Sequence, residues 1–364
     1  MGIQGLWPFL RERAAKEGKT DAVFRTDEAT WGLKEGARVA VDVAPLMFAR
    51  VSCFIGSIDS LQLLHFFRSY GATVRSRGWV PVWVFDGEPL VMKQAESEDR
   101  RTKAAASDKK RAERAVNKHV EDAKAAAAAA KQSGASTFVF APMPIEGGAP
   151  DEFAVPTVLQ DVARDAVRLR PTRANYDLVR AALTADGEEC ELAPHEAEAH
   201  ACWMESTGRV DAVATVDSDA IWYGARILVR DFGTPKAVAV HHADVLGLLH
   251  MDDATAREAL PLFGNDFGDR LPGFGPAAIF KHMSGPKATA RTADALVAWG
   301  RQTKHPILGT AHALHWVTHV MPRQRDIRDT YCGSATPMTT ALDLPPPPPP
   351  PPAAEPQSRK RARA

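Results

Sequence analysis

Arg38-Val39-Ala40-Val41-Asp42 is a short run of small and β-branched apolar residues that stops on a carboxylate. A strand buried on both faces of a parallel sheet reads this way, apolar throughout rather than alternating. Four segments share the composition: Arg38 to Val43, Val80 to Phe85, Val210 to Val216 and Arg226 to Arg230. Three of them run straight into an aspartate, Asp42, Asp86 or Asp217. Between them, Leu61 to Arg75 and Tyr176 to Ala185 carry helical patterns long enough for crossovers, so an α/β fold with a parallel sheet is expected. Ligands of such sheets bind beyond the carboxyl ends of the strands, where the three aspartates would stand.

The chain has 364 residues, 45% hydrophobic and 25% charged, which is a globular composition with room for a sizeable core. No apolar run is long enough to cross a membrane, and the first residues lack the apolar core of a secretory signal. A soluble intracellular protein is expected. Cys53, Cys190, Cys202 and Cys332 have neither zinc-site nor disulfide-framework spacing. Lys plus Arg and Asp plus Glu each number 45, so net charge says nothing of a nucleic-acid partner.

From Lys93 to Lys131 the chain is charged, alanine-rich and free of Gly and Pro, which predicts a long helix or a helical pair. Eleven cations face seven anions there, a modest basic excess. Phe138 to Pro156 is rich in Pro and Gly and reads as a loop insertion. Pro345 to Pro352 is an octaproline, expected as an extended polyproline II spacer, and Arg359-Lys360-Arg361 with Arg363 resembles a nuclear-localisation signal.

Taken singly, an aspartate at a strand end is most often a turn or helix cap. Glu196 and Glu198, in Pro194-His195-Glu196-Ala197-Glu198, fall where a helix begins, and acids there also complement the helix dipole. Both reach one site only if Glu196 stays in the loop or the first turn. Asp217 and Asp219 bracket Ser218, and as an extended i, i+2 pair they would face one way. Together these acids form a negative cluster that is costly without a cation. The all-oxygen donor set suits Mg²⁺ or Mn²⁺ rather than zinc.

The motifs Met1-Gly2-Ile3-Gln4-Gly5-Leu6, Val39-Ala40-Val41-Asp42, Val84-Phe85-Asp86-Gly87-Glu88-Pro89, Glu196-Ala197-Glu198-Ala199, Ala214-Thr215-Val216-Asp217-Ser218-Asp219 and Gly264-Asn265-Asp266-Phe267 follow one another in a specific order. That order is similar to the flap endonuclease and XPG family of structure-specific 5′ nucleases, over about residues 1–101 and 176–283. The resemblance implies a PIN-like nuclease core in 1–100 and 170–250. It further implies a helical arch with an insertion loop in 93–160, a helix–two-turn–helix element with C-terminal helices in 251–332, and a Pro-rich basic tail in 333–364. It also implies that Asp42, Asp86, Glu196, Glu198, Asp217, Asp219 and Asp266 bind two metal ions. Lys93 and Arg100 would hold the scissile phosphate, Gly2 would lie close to the site, and Phe48 would stack on a base.

Leu271-Pro272-Gly273-Phe274-Gly275-Pro276 resembles the family's glycine hairpin, with Gly273 and Gly275 set to grip a phosphate backbone, although Ala277 and Ala278 stand where basic residues are common. Asp217 to Trp222 resembles the XPG branch, and the short spacer between the two halves resembles the flap-endonuclease branch. No sliding-clamp docking peptide is evident near the C-terminus. The implied partner is branched or flapped DNA, acted on by a monomer. A 5′-3′ exonuclease or RNA-directed nuclease of the same fold, and a non-catalytic nucleic-acid-binding scaffold, are the competing functions. His312, His315 and His319 recur at helical spacing beside Trp316 and read as packed histidines rather than a metal site.

Overall fold

The computed structural model describes residues 2–90, 94–132, 157–268, 270–271 and 274–332. Phe138 to Pro156, the octaproline and the basic cluster lie outside them. Six strands form one sheet in the order β3-β2-β1-β4-β5-β6: β1 Arg38–Asp42, β2 Val80–Phe85, β3 Glu189–Leu192, β4 Ala212–Ala214, β5 Ile227–Arg230 and β6 Val238–His241. All neighbours are parallel except β5 and β6. The expected α/β class and parallel sheet are therefore present. The helices Ser60–Arg75 and Arg173–Ala185 start one and three residues ahead of the patterns that announced them.

Two strands escaped the sequence reading. β3 is Glu-Cys-Glu-Leu at the sheet's edge, only partly buried, so it has no apolar run to announce it. β6 is the antiparallel edge. The stretch Val210 to Val216 shrinks to the three residues of β4. The Thr215 hydroxyl donates to Asp42 Oδ2 at 2.7 Å and accepts from the Asp217 N–H at 3.1 Å, so that N–H is bonded to a side chain just past the strand.

One face of the sheet buries Ala40, Val82, Val84, Val213, Leu228 and Val240 against Leu6 and Leu10 of the helix Leu6–Lys16 and against the helix Ala197–Ser206. On the other, Trp79 stacks on Trp31 and Phe232 at 5.5 and 5.7 Å, and Tyr70 meets Trp83 at 5.8 Å. The chain divides into two compact units. One comprises the described residues of Met1–Leu46, Phe67–Glu96 and Asp177–Ala364 and carries the whole sheet; the other comprises those of Met47–Phe66 and Ser97–Tyr176. The second unit holds most of a 39-residue helix, Gln94–Gln132, a single helix where the sequence allowed one or two.

Glu205 ties the helix Ala197–Ser206 to β5. It is 1% exposed, and its carboxylate accepts the N–H groups of Arg226 and Ile227 at 2.6 and 3.0 Å. Burial pushes the carboxyl up from 4.5 to about 7, against the downward pull of those two N–H donors. Because the folded pKa is the higher one, the resulting stability is complete below about 4.5 and disappears as pH rises through about 7. Between pH 4.5 and 7 the wild-type protein should therefore lose up to about 3 kcal/mol relative to Glu205→Gln. Urea melts of both proteins across that range check this, and parallel stability curves would refute it.

Candidate metal centre

Five of the seven acids are buried: Asp42, Glu198, Asp217, Asp219 and Asp266 are 4, 6, 5, 0 and 7% exposed. Asp42 ends β1 and Asp86 follows β2, in adjacent parallel strands with Asp42 in register with Val84. Asp217 and Asp219 follow β4 on the other side of β1. These four therefore leave one edge of the sheet from three neighbouring strands.

Three of them, Asp42, Asp86 and Asp217, are held by a local donor. Asp42 accepts from the Ala44 N–H at 3.1 Å as well as from Thr215. Asp86 Oδ1 accepts from the Ala197 N–H at 2.9 Å, in the first turn of the helix that carries Glu198. Asp217 Oδ1 accepts from the Asp219 N–H at 2.9 Å. The capping role that sequence statistics favour for single acids is thus real here, and it orients the acids.

Glu196 is the N-cap of the helix Ala197–Ser206, with extended backbone (φ −83°, ψ 130°). It stays out of the helix, which is the condition for reaching the same side as Glu198. The reading of Asp217 and Asp219 as an extended pair is corrected. Ser218 is helical (φ −81°, ψ −12°), and Asp219 opens the short helix Asp219–Tyr223. The Asp217 side chain starts that helix, so a turn and not a strand sets the spacing of the two acids.

Asp266 sits in a tight turn closed by the bonds Asn265 N to Gly268 O (3.1 Å) and Gly268 N to Asn265 O (3.4 Å). Asn265 Oδ1 accepts from the Phe267 N–H, and its amide donates to Gln324 Oε1 at 3.1 Å, which anchors the turn to the helix Met321–Cys332. The N-terminal segment links this turn to Asp217. Gln4 N–H donates to Gly264 O at 2.8 Å, and Ser218 Oγ donates to Ile3 O at 3.3 Å. Gly2 has φ +78°, and a Cβ there would lie 2.0 Å from Asp217 Oδ1. Thr215, Ser218, Asn265 and Gln324 support the acids without having been singled out from the sequence. A hydroxyl or amide carries no periodic signal.

The acids repel one another. Burial, the carboxylate of Asp86 and, more weakly, that of Asp217 push the Asp42 carboxyl well above the usual range, against the Thr215 hydroxyl and the Ala44 N–H. The donor set, the burial and this repulsion fit a hard divalent cation. Among the described residues, however, no three His, Cys, Asp or Glu side chains are grouped as a chelating set. That includes the histidines 312, 315 and 319, of which His315 and His319 stack ring on ring at 4.6 Å.

The remaining candidates divide. Lys93 and Gly273 lie outside the described residues, and Arg100 is placed only as part of the helix Gln94–Gln132. Phe48 is 48% exposed and is no core residue. Gly275 is the N-cap of the helix Pro276–Met283, with extended backbone and open space where a Cβ would project, so the fold itself does not require glycine there.

Residues 188–266 match the XPG I-region family. Flap endonuclease 1 of Leishmania major is 26% identical over 327 residues, 84% of this chain and 69% of that protein. Flap endonuclease 1 of Mycosarcoma maydis is 33% identical over 119 residues, 31% of this chain and 32% of that one. Among solved structures, the catalytic core of Rad2 in complex with DNA substrate superposes with a TM-score of 0.55 at 17% identity, covering 95% of this chain and 91% of that one. Human GEN1 in complex with Holliday junction DNA gives 0.52 at 16% identity, covering 95% and 70%. At these identities the two structures establish the fold.

Proposed function

We propose that the chain, which carries the XPG I-region and resembles flap endonuclease 1 along most of its length, is a metal-dependent, structure-specific 5′ nuclease of the flap endonuclease and XPG family that hydrolyses DNA at flaps, bubbles or nicked junctions. The observation that carries the reading is a set of buried carboxylates issuing from one sheet edge, with Asp42 destabilised as an anion by burial and by its neighbours. Such a cluster is costly unless a cation shares it.

Asp42, Asp86, Glu196, Glu198, Asp217, Asp219 and Asp266 would hold two Mg²⁺ ions, with Mn²⁺ as a substitute. When bound, such ions activate a water and stabilise the leaving oxygen in an in-line displacement. The chain's own groups supply placement. Thr215 and the Ala44 N–H orient Asp42, the Ala197 N–H orients Asp86, and the Asp219 N–H orients Asp217. Lys93 and Arg100 would hold the scissile phosphate and offset its charge in the transition state. Phe48, half exposed, would stack on a base, a contact worth about 1–3 kcal/mol on any sequence. Gly2 would keep the substrate close to Asp217, and Gly273 and Gly275 would let backbone amides approach a phosphate.

The test is a cleavage assay on labelled 5′-flap, nicked, blunt and RNA substrates, with Mg²⁺, with Mn²⁺ and with chelator. Cutting at the flap that needs metal is the expected result; equal cutting of RNA or blunt duplex would replace the substrate reading, and cutting in chelator would remove the metal.

Branched DNA is the proposed partner, in replication or repair, with the chain acting as a monomer. Among the described residues no helix is long and apolar enough to cross a membrane. Nuclear localisation is proposed on Arg359-Lys360-Arg361 and Arg363. Deleting Ser358 to Ala364 should lower nuclear accumulation and leave cleavage intact; an unchanged distribution of the tagged protein would disprove it.

A further inference from the structure

Arg230 is the last residue of β5, at the same sheet edge as the acids. The register Val41↔Ala214 and Ala214↔Val229, continued by one residue, sets Asp42, Thr215 and Arg230 in one row across β1, β4 and β5. The Asp42–Thr215 hydrogen bond shows that those two side chains share a face. Arg230 shares it too, because Ala40, Val213 and Leu228, two residues earlier in each strand, are all buried in the same cluster beneath the helix Leu6–Lys16. Two strand spacings put β5 roughly 10 Å from β1. Arg230 thus stands off from Asp42, where it would face a phosphate other than the reacting one.

The Arg230 guanidinium carbon lies over the Trp7 ring, 4.2 Å from its centroid, a cation–π contact that holds the side chain in place. Its Nε is buried with no hydrogen-bond partner among the described residues, and so is Nε1 of Trp7. Burial lowers the Arg230 pKa, and the nearby Arg11 adds to this while Asp231 opposes it. Two buried donors without acceptors, one on a half-desolvated cation, cost stability that an incoming anion would recover. Both residues remain partly exposed, so an anion can reach the pair from solvent.

We propose that Arg230, packed over Trp7, binds a non-scissile phosphate of the DNA beside the metal centre and so sets the register of the strand being cut. This rests on the DNA-nuclease reading above. Arg230 is a positioning residue, since nothing brings it to the reacting atoms.

The experiment is binding of a labelled 5′-flap DNA across a salt series, with Ca²⁺ in place of Mg²⁺, for the wild type, Arg230→Gln, Arg230→Lys and Trp7→Leu, with thermal melts of each. Arg230→Gln keeps a planar group over Trp7. It should bind roughly five- to tenfold more weakly, with the log affinity against log salt slope reduced by about one, the signature of one lost phosphate contact. Arg230→Lys should restore the slope and only part of the affinity. Trp7→Leu should keep the slope and weaken binding. Arg230→Gln with the wild-type slope overturns the proposal, whether or not affinity falls, because a merely structural residue leaves the count of phosphate contacts unchanged. Wild-type protein that binds the flap but never cuts it in Mg²⁺ refutes the nuclease reading while the slope still decides Arg230; no binding by the wild type refutes both.

Discussion

Asp217→Asn combined with Asp219→Asn is expected to abolish flap cleavage, by on the order of 10³-fold or more, in a protein that folds as well as the wild type. Both residues follow β4 and are 5 and 0% exposed, so removing their charge takes two anions out of the interior and relieves Asp42, whose carboxyl the charge of Asp217 pushes up. The asparagine at 217 still has an Oδ1 to accept the 219 N–H, so the start of the helix Asp219–Tyr223 survives. Single-turnover cleavage and a thermal melt on the same preparation separate the two effects. Lost cutting with an unchanged or raised melting temperature supports the metal-ligand role. Undiminished cutting would sink it, and lost cutting with a collapsed melt would make the pair structural.

The parallel sheet and its carboxyl edge were legible because buried strands advertise themselves: Val39-Ala40-Val41 and Val82-Trp83-Val84-Phe85 have no other way to be stable. Edge strands do not, and β3, with glutamates at positions 189 and 191, shows why. Strand ends also located Asp42, Asp86 and Asp217, since a run of apolar residues has to stop somewhere. The pairing of Asp217 with Asp219 was read through the wrong geometry, because an Asx-type turn at a helix start and an extended strand share the i, i+2 spacing. Asp266 had no pattern of its own. Its position depends on Gln4 and Gln324, respectively 262 residues before it and 58 after it, and such contacts leave no local trace in the chain. Only the ordered resemblance picked it out.

Gly87→Ala should be the most damaging single change outside the acids. Gly87 N–H donates to His195 O at 2.7 Å and Glu88 N–H to Pro194 O at 3.1 Å, so the turn after β2 is zipped onto the segment leading to Glu196. A Cβ at position 87 would lie 2.0 Å from Ala193 O and 2.5 Å from Pro194 O. Both are backbone atoms with no rotamer through which to escape, so the two segments have to part. Overpacking of this kind costs about 1–3 kcal/mol. The functional loss should be larger than the stability loss. Asp86 precedes Gly87 and caps the helix bearing Glu198 through the Ala197 N–H, so a shift of even ~1 Å moves three of the proposed ligands at once and should cost on the order of 100-fold in cleavage. Gly275→Ala is the matched control, since open space surrounds its Cβ direction and its backbone is extended. It should leave the melt unchanged. Equal melts and equal rates for Gly87→Ala and the wild type would show that the two loops are not coupled as the structure has them.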